Sequence, residues 1–235
     1  MTADRTRRVA VAGALLVALA PLTACGGGDK AQPAGQSVKQ LLAAAKQKFD
    51  AAPSVHLSLS TDSTPTSGNA VLGADGTLTR QPAFKGTVKV VLSGFNADVP
   101  VVAVNGKVYA KLPLTPKYAE INPSEYSAPD PADFADPSKG ISGLLLALRD
   151  PQKLGDSRQG KLVLHRASGT LSGEQVAPII PSADPNGTYK TVVGIDDQDR
   201  IVTLDVTGEF FSGGGDETYK LAFDDYGKSV KITAP

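Results

Sequence analysis

The sequence predicts an antiparallel α+β fold behind a removable leader. Three observations carry that prediction: a succession of about ten short alternating segments separated by turn residues, only three or four segments with helical spacing, and a charged-then-apolar start that ends at the one cysteine of the chain.

The leader comes first. "MTADRTRR" carries Arg5, Arg7 and Arg8, and Val9 to Ala20 follow as an apolar block shorter than the roughly 20 residues that a bilayer span requires. Leu22-Thr23-Ala24-Cys25 then matches the bacterial lipobox, in which the cysteine thiol receives a diacylglycerol and the chain is cut before it. The alternative is an ordinary cleaved signal with an incidental cysteine. On the lipobox reading residues 1–24 are a lipoprotein signal peptide, Cys25 is the lipid-attachment residue, 25–36 are a flexible tether and 37–235 are one folded domain. Two or more acyl chains anchor a protein stably where one gives marginal binding. The tether, rich in Gly, Ala, Pro and Gln, has a coil span of roughly 17 to 20 Å. Loss of three arginines and Asp4 leaves a slightly acidic chain with no basic footprint for nucleic acid. A single cysteine also rules out an internal disulfide.

The folded part opens with "SVKQLLAAAKQKFDAAPS". Val38, Leu41, Leu42, Ala45 and Phe49 recur at spacings of three and four, Ser37 is the expected N-cap, and Pro53 lies beyond the end. Strands follow. "VHLSLS" alternates, "AVLGADGTLTR" and "GTVKVVLSG" come next, and in the latter Lys89 belongs outward because an unpaired buried ammonium is costly. Thr87 and Val91 go with it, and Val88, Val90 and Leu92 turn inward. In "VPVVAVNGKVYAKL", Asn105-Gly106 is a strong signal for a two-residue hairpin turn. That turn sets Val104 opposite Lys107 and collects Val99, Val101, Ala103, Val108, Ala110 and Leu112 on one uncharged face.

From Pro113 to Gly140 the chain is proline-rich and without period, to be read either as a surface excursion or as the rim or lid of a binding site. "GISGLLLAL" is a short helix apolar nearly all round, including Leu145 and Leu148, and so expected to be buried. The β pattern then resumes: "GKLVLHRASGTLS", a short helix capped by Ser172, a hairpin about Asp196 to Arg200, and "ETYKLAFDDYGKSVKITAP" with a turn at Asp225 to Lys228.

Catalysis has few parts to draw on. His56 and His165 are the only histidines, each on the expected outer face of a strand. Asp196, Asp197 and Asp199 lack calcium-loop spacing and read as a solvated hairpin tip, while Gly213 to Gly215 open no helix and so make no phosphate cradle. No catalytic residue, metal site or cofactor is expected.

Taken in order, the lipobox, the helix ending before "SVHLSLS", "GTLTRQPAFKGTVKVVL", "VVAVNGKVYAKL", the proline-rich stretch before "GISGLLLAL", and the closing "YGKSVKITAP" resemble the LprG/LppX/LprF lipoproteins of mycobacteria and their actinobacterial relatives, the LprG branch above all. The resemblance implies a strongly curved antiparallel half-barrel, similar to LolA and LolB, with helices on the concave side. It also implies an apolar cavity for the acyl chains of triacylated lipids or glycolipids, such as phosphatidylinositol mannosides, lipoarabinomannan precursors or triacylglycerol.

From composition alone, a filled core explains the uncharged faces better than a cavity does. On the resemblance, Val88, Val90, Leu92, Val99, Val101, Ala103, Val108, Ala110, Leu112, Leu145 and Leu148 become the expected lining. Tyr118 and Tyr126, with Glu120 and Glu125, become candidates for the mouth. The expected role is a lipid carrier held to the outer face of the plasma membrane by acylated Cys25, with a membrane lipid exporter as a further partner and no nucleic acid. A structural or adhesive envelope lipoprotein with a packed core is the alternative.

Overall fold

The computed structural model describes residues 36–65, 68–92 and 94–235. The expected signal peptide, Cys25 and all but the last residue of the tether lie outside the described residues.

Helix α1 (Val38–Ala51) starts on a capping box in which the Ser37 hydroxyl accepts from the Gln40 N–H and the Gln40 side chain accepts from the Ser37 N–H. Its spacing works as predicted, because Leu41, Leu42, Ala45 and Phe49 are all buried. Twelve strands follow: β1 (Ser54–Thr61), β2 (Ala70–Thr79), β3 (Ala83–Leu92), β4 (Phe95–Val104), β5 (Lys107–Ala110), β6 (Ala119–Ile121), β7 (Arg149–Lys153), β8 (Ser157–Gln159), β9 (Leu162–Ser172), β10 (Thr188–Asp196), β11 (Ile201–Gly208) and β12 (Glu217–Asp224). All pair antiparallel in one open curved sheet, in the order β6-β5-β4-β3-β2-β1-β12-β11-β10-β9-β7, with β8 also on β9.

That order is two meanders joined where β1 pairs with β12. It leaves β6 and β7, neighbours in sequence, on opposite edges of the sheet. At about 4.8 Å per strand, those edges would lie roughly 48 Å apart if the sheet were flat. The connection between them, 122–148, must therefore traverse a face. It does so as two short 3-10 helices, Pro123–Tyr126 and Pro131–Ala135, followed by α2 (Ile141–Ala147). The second half of the proline-rich stretch is thus no surface excursion, since Pro131, Ala132 and Phe134 are buried against β2, β3 and β4, whereas residues 113–120 are exposed.

The inner face divides into two unlike halves. Where β1 and β9–β12 meet α1, α2 and α3 (Gly173–Val176), aromatic rings fill the space. Phe210 lies 4.8 Å from Tyr189 and 4.7 Å from Tyr219, and Phe49 stands edge-on to Phe223 at 5.6 Å. Tyr219 donates to the Val71 carbonyl at 2.7 Å, beside the register shift between Val71 and Gly73 in β2. Burial pushes its phenol up to about 12. Over β2–β5, by contrast, the inward side chains are almost all Val, Ala and Leu.

Four local expectations need correction. Leu146, expected to be buried with the rest of α2, is 58% exposed, because the helix packs on one side only, against α1 and α3. Val91, expected outward with Lys89, is buried opposite Ala70. Asp196 is no solvated tip: it is 3% exposed, paired with Arg200 at 2.6 Å, and accepts from the Gln198 and Arg200 N–H groups. Burial alone would raise its pKa, but those bonds together hold it below the ordinary carboxylate range. Finally, the stretch after the turn at Asp225 to Lys228 adds no strand, and instead Ile232 packs on the outer-face cluster of Ala83, Val102, Val104 and Tyr109.

Candidate functional site

Strand parity builds the site. The Asn105-Gly106 turn, with φ of 56° and 71°, fixes Val104 opposite Lys107, so that Val101 meets Ala110 and Ala103 meets Val108. In β3, Val88 sits between Ala74 of β2 and Val99 of β4. The result is a wall of small aliphatic groups on four neighbouring strands. Opposite it stand Pro123, Tyr126, Ala128, Pro129, Pro131 and Phe134 of the proline-rich connection.

Between wall and connection runs an open-mouthed apolar cavity of about 60 Å³ as measured by the centre of a water-sized sphere, within an envelope of about 650 Å³ that includes the mouth. Val88, Val90, Leu92, Val99, Val101, Val108, Ala110 and Leu112 line it, joined by Leu59, Val71, Ala74 and Ile121. No charged side chain lines it, and of the lining residues Tyr126 alone carries a polar side-chain group.

Three expected lining residues lie elsewhere. Ala103 is on the inner face but fully buried opposite Phe84, whose ring lies over the cross-strand pair Gly76 and Gly86 and fills that end of the sheet. A Cβ on Gly76 would come within 2.6 Å of that ring. Leu145 and Leu148 belong to the aromatic half, Leu148 packing over Gly169 of β9. At the mouth, Tyr126 reaches the cavity and Tyr118 does not. Pairing of Ala119 with Ala110 and of Ile121 with Val108 turns Glu120 to the outer face, where it meets Lys107 at 2.8 Å.

Sequence reasoning offered the proline-rich stretch as a rim or lid but did not single out Pro129, Pro131 and Phe134 in it: they carry no periodic signal, and only the opposite-edge placement of β6 and β7 dictates where they lie. Asp130, between two roof prolines, accepts from the Ala132 N–H at 2.9 Å and is half-buried, and burial raises its pKa. Beyond the roof, Lys46 of α1 binds Asp50 at 2.6 Å and the Pro137 carbonyl, while Ser142 of α2 donates to Asp50 at 2.5 Å. That cluster pins the far end of the connection to both helices.

Both histidines are held between carboxylates on the outer face. His56 contacts Asp224 and Asp75, and His165 contacts Asp156 at 3.1 Å and Asp197 at 2.9 Å. His56 is thereby paired with residues of both neighbouring strands, and His165 with residues just outside β8 and β10. Among the described residues no group of three or more His, Cys, Asp or Glu side chains is placed to hold a metal ion, and no helix is long and apolar enough to cross a membrane.

The sequence matches the LppX_LprAFG lipoprotein family over residues 37–232. The chain belongs to that family. It is 28% identical over 239 residues to the lipoarabinomannan carrier protein LprG of Mycobacterium tuberculosis, covering 97% of this chain and 95% of that protein. Lipoprotein LprA of the same species is 24% identical over 169 residues, covering 70% and 67%. Among solved structures, LprF from Mycobacterium bovis superposes with a TM-score of 0.71 at 19% identity, covering 84% of this chain and 96% of that one. Mycobacterium tuberculosis lipoprotein LppX gives 0.60 at 16% identity, covering 83% and 98%. The half-barrel expected from the resemblance is therefore the fold of this family.

Proposed function

We propose that this family member is a lipid-anchored carrier of the cell envelope, which takes the acyl chains of a triacylated lipid or glycolipid into the cavity under the proline-rich roof. The observation that carries the reading is the wall on β2–β5: an all-apolar surface, small-chained and open at one end, in a fold that elsewhere fills its interior with aromatic rings. A packed protein gains from filling such a space. The name of its relative LprG, a lipoarabinomannan carrier, supports the same class of cargo, with phosphatidylinositol mannosides and related precursors as first candidates.

Energetics favour carriage over storage. Burying a methylene from water stabilises by about 0.8 kcal/mol, but a lipid drawn from a bilayer is already dry. Exchange between membrane and cavity is then close to neutral in the hydrophobic contribution, so loading and unloading both proceed. Headgroup contacts at the mouth, with the Tyr126 hydroxyl as first candidate, supply selectivity. Acylated Cys25 would hold the carrier on the outer face of the plasma membrane, from which a lipid exporter could take cargo.

One observation favours the alternative of a packed structural lipoprotein. A methylene occupies about the volume of a water molecule in the liquid, roughly 30 Å³, so a sixteen-carbon chain needs about 500 Å³. The cavity as it stands offers far less free room, and even its envelope of about 650 Å³ falls short of three chains. Carriage therefore requires the roof to rise. Mass spectrometry of lipid extracted from protein purified from an actinobacterial host, with lipid transfer measured between vesicles, tests the choice: stoichiometric acylated lipid and transfer are expected, and neither would be seen from a packed scaffold.

A further inference from the structure

Two apolar side chains stand out in water at one end of the sheet. Phe95, the first residue of β4 and the register partner of Leu92 across the β3–β4 tip, is 77% exposed. Leu114 is fully exposed, at 106%. Its backbone is unusual as well. The Thr115 N–H donates to the Leu112 carbonyl at 3.1 Å, with Pro113 and Leu114 between them, and Leu114 has φ of 66°. A proline-led turn with positive φ at the next residue ordinarily takes Gly or Asn there. Leucine is disfavoured at this position on two counts, backbone conformation and solvation.

Phe95 and Leu114 line one groove, and that groove shares two of its walls with the cavity: Leu92 and Leu112, both half-buried, line each of them. Lys111 borders the groove, its charge free to reach outward from an apolar stem, and Asp98 is the one carboxylate on its rim. Asp98 has Lys89 as its register partner on β3. We infer that Phe95 and Leu114 are a membrane-docking tip, which seats the cavity mouth in the headgroup–acyl boundary of a bilayer so that acyl chains pass from membrane to cavity without crossing water.

The occupant is argued to be lipid on three grounds. The two side chains stand on separate segments, the start of β4 and the turn after Leu112, with Asn96 and Thr115 beside them, which suits insertion between lipids better than a flat contact. An aromatic ring offers roughly 150–250 Å², so ring and leucine together fall well short of the ~800 Å² per partner of a stable protein interface. And the groove adjoins, across Leu92 and Leu112, the space proposed for acyl chains. An exposed aromatic and a leucine beside a lysine is also the composition of interfacial anchors.

Docking presupposes the carrier function for its purpose but has its own readout. The chain has no tryptophan, so Phe95→Trp, Leu114→Trp and, as a control on α2, Leu146→Trp each carry a single indole. Full-length acylated protein is reconstituted in phosphatidylcholine–phosphatidylglycerol vesicles containing brominated acyl chains. Emission from the first two is expected to shift to the blue and to be quenched several-fold more than that from the Leu146 position. Equal quenching at all three sites, or water-like emission at positions 95 and 114, overturns the docking tip; the second result would leave these residues to a protein partner. As a functional check, Phe95→Ser with Leu114→Gly should slow lipid transfer between vesicles several-fold, with no loss of bound lipid and no fall in melting temperature, since glycine suits the turn. Unchanged transfer in a variant that still carries lipid refutes docking alone. A parent with no bound lipid and no transfer refutes the carrier function, with the quenching result still standing by itself.

Discussion

Replacing Val88 with tryptophan separates a cavity from a core. Val88 lines the apolar space from the middle of β3, flanked by Ala74 and Val99 on the adjoining strands, so a larger ring there has small neighbours to either side. The substitution adds about seven heavy atoms, on the order of 100–200 Å³ at the volume of a water molecule or less for each. That takes up less than a third of the 650 Å³ envelope, which includes the mouth, although only about 60 Å³ of it is open to the centre of a water-sized sphere. A roof that can rise accepts the ring at little cost. A closed core does not, and overpacking it costs about 1–3 kcal/mol. In a domain of this size each kcal/mol moves the melting temperature by roughly 2–4 °C, so the two readings differ by up to about 10 °C. Because bound lipid itself raises the melting point, melts are compared on delipidated samples and lipid is weighed by mass spectrometry before delipidation. The expected outcome is a melting temperature within about 2 °C of the parent and a large loss of co-purified lipid. A fall of several degrees, with no acylated lipid on parent or variant, would refute the cavity and the carrier with it.

Cys25→Ala should abolish acylation and release the protein from the membrane fraction; a variant that still sediments with membranes, beside a parent without acyl mass, counts against the lipobox. Gly76→Ala should lower the melting temperature by several degrees, because its Cβ would meet both the Lys85 carbonyl and the Phe84 ring at 2.6 Å; an unchanged melt would show that the ring is not fixed there. The Asp156 hydrogen bond raises the pKa of His165, burial opposes it, and Asp197 adds to it. A raised folded-state pKa gives stability that is full below the unfolded value of about 6.5 and lost as pH rises through the folded one. His165→Gln should thus flatten the pH dependence of melting in that window, and a parallel curve would contradict the pairing. Finally, amide exchange at Glu125, Ser127 and Asp133 of the roof should be much faster than in β3, and equal protection would argue against a roof that lifts.

What was legible in the sequence was local. The stripe Leu41, Leu42, Ala45 and Phe49 needs only helical spacing; the Asn105-Gly106 hairpin needs only turn chemistry, and with the parity of Val88, Val90 and Leu92 it places eight of the cavity's residues. What escaped depends on topology or on neighbours. Strands of three to five residues such as β6 and β7 show no alternation to read, yet they decide the face that the connection must cross. Ala103 has the right parity and is lost to the cavity only because Phe84 lies flat on two glycines of adjacent strands. Leu145 and Leu148 are apolar in the way expected, but spacing alone cannot say which half of a divided interior an apolar helix will fill. Asp196 looked like part of a wet acidic turn because the burial of its carboxylate depends on Arg200 folding back over the same turn.

The roof is held at both ends, by the pairing of β6 with β5 and by the contacts at Pro137, and is closed between them by side-chain packing. Every backbone hydrogen bond donated from 124 to 136 stays within the segment: Glu125 to Asn122, Ser127 to Ser124, Ala128 to Pro123, Asp133 to Asp130 and Asp136 to Asp133, with Asn122 and Asp130 capping their own 3-10 turns. The six prolines between Pro113 and Pro137 have no N–H to contribute to a sheet. The roof thus meets β2–β5 through side-chain packing, and lifting it breaks no ladder hydrogen bond. What it loses on lifting is burial of Pro131, Ala132 and Phe134, of which the phenylalanine alone is worth about 1.5–3 kcal/mol. On the proposed carrier function, acyl chains entering beneath it would restore the same apolar contact, so that opening would be opposed in water and nearly balanced against lipid. Toward α2, the Lys46–Asp50–Ser142 cluster and the Pro137 carbonyl hold the segment to the helices. A strip held at one end by the pairing of β6 with β5, at the other near Pro137, and closed between them by apolar contact alone would open, on the proposed carrier function, where lipid is present to replace that contact.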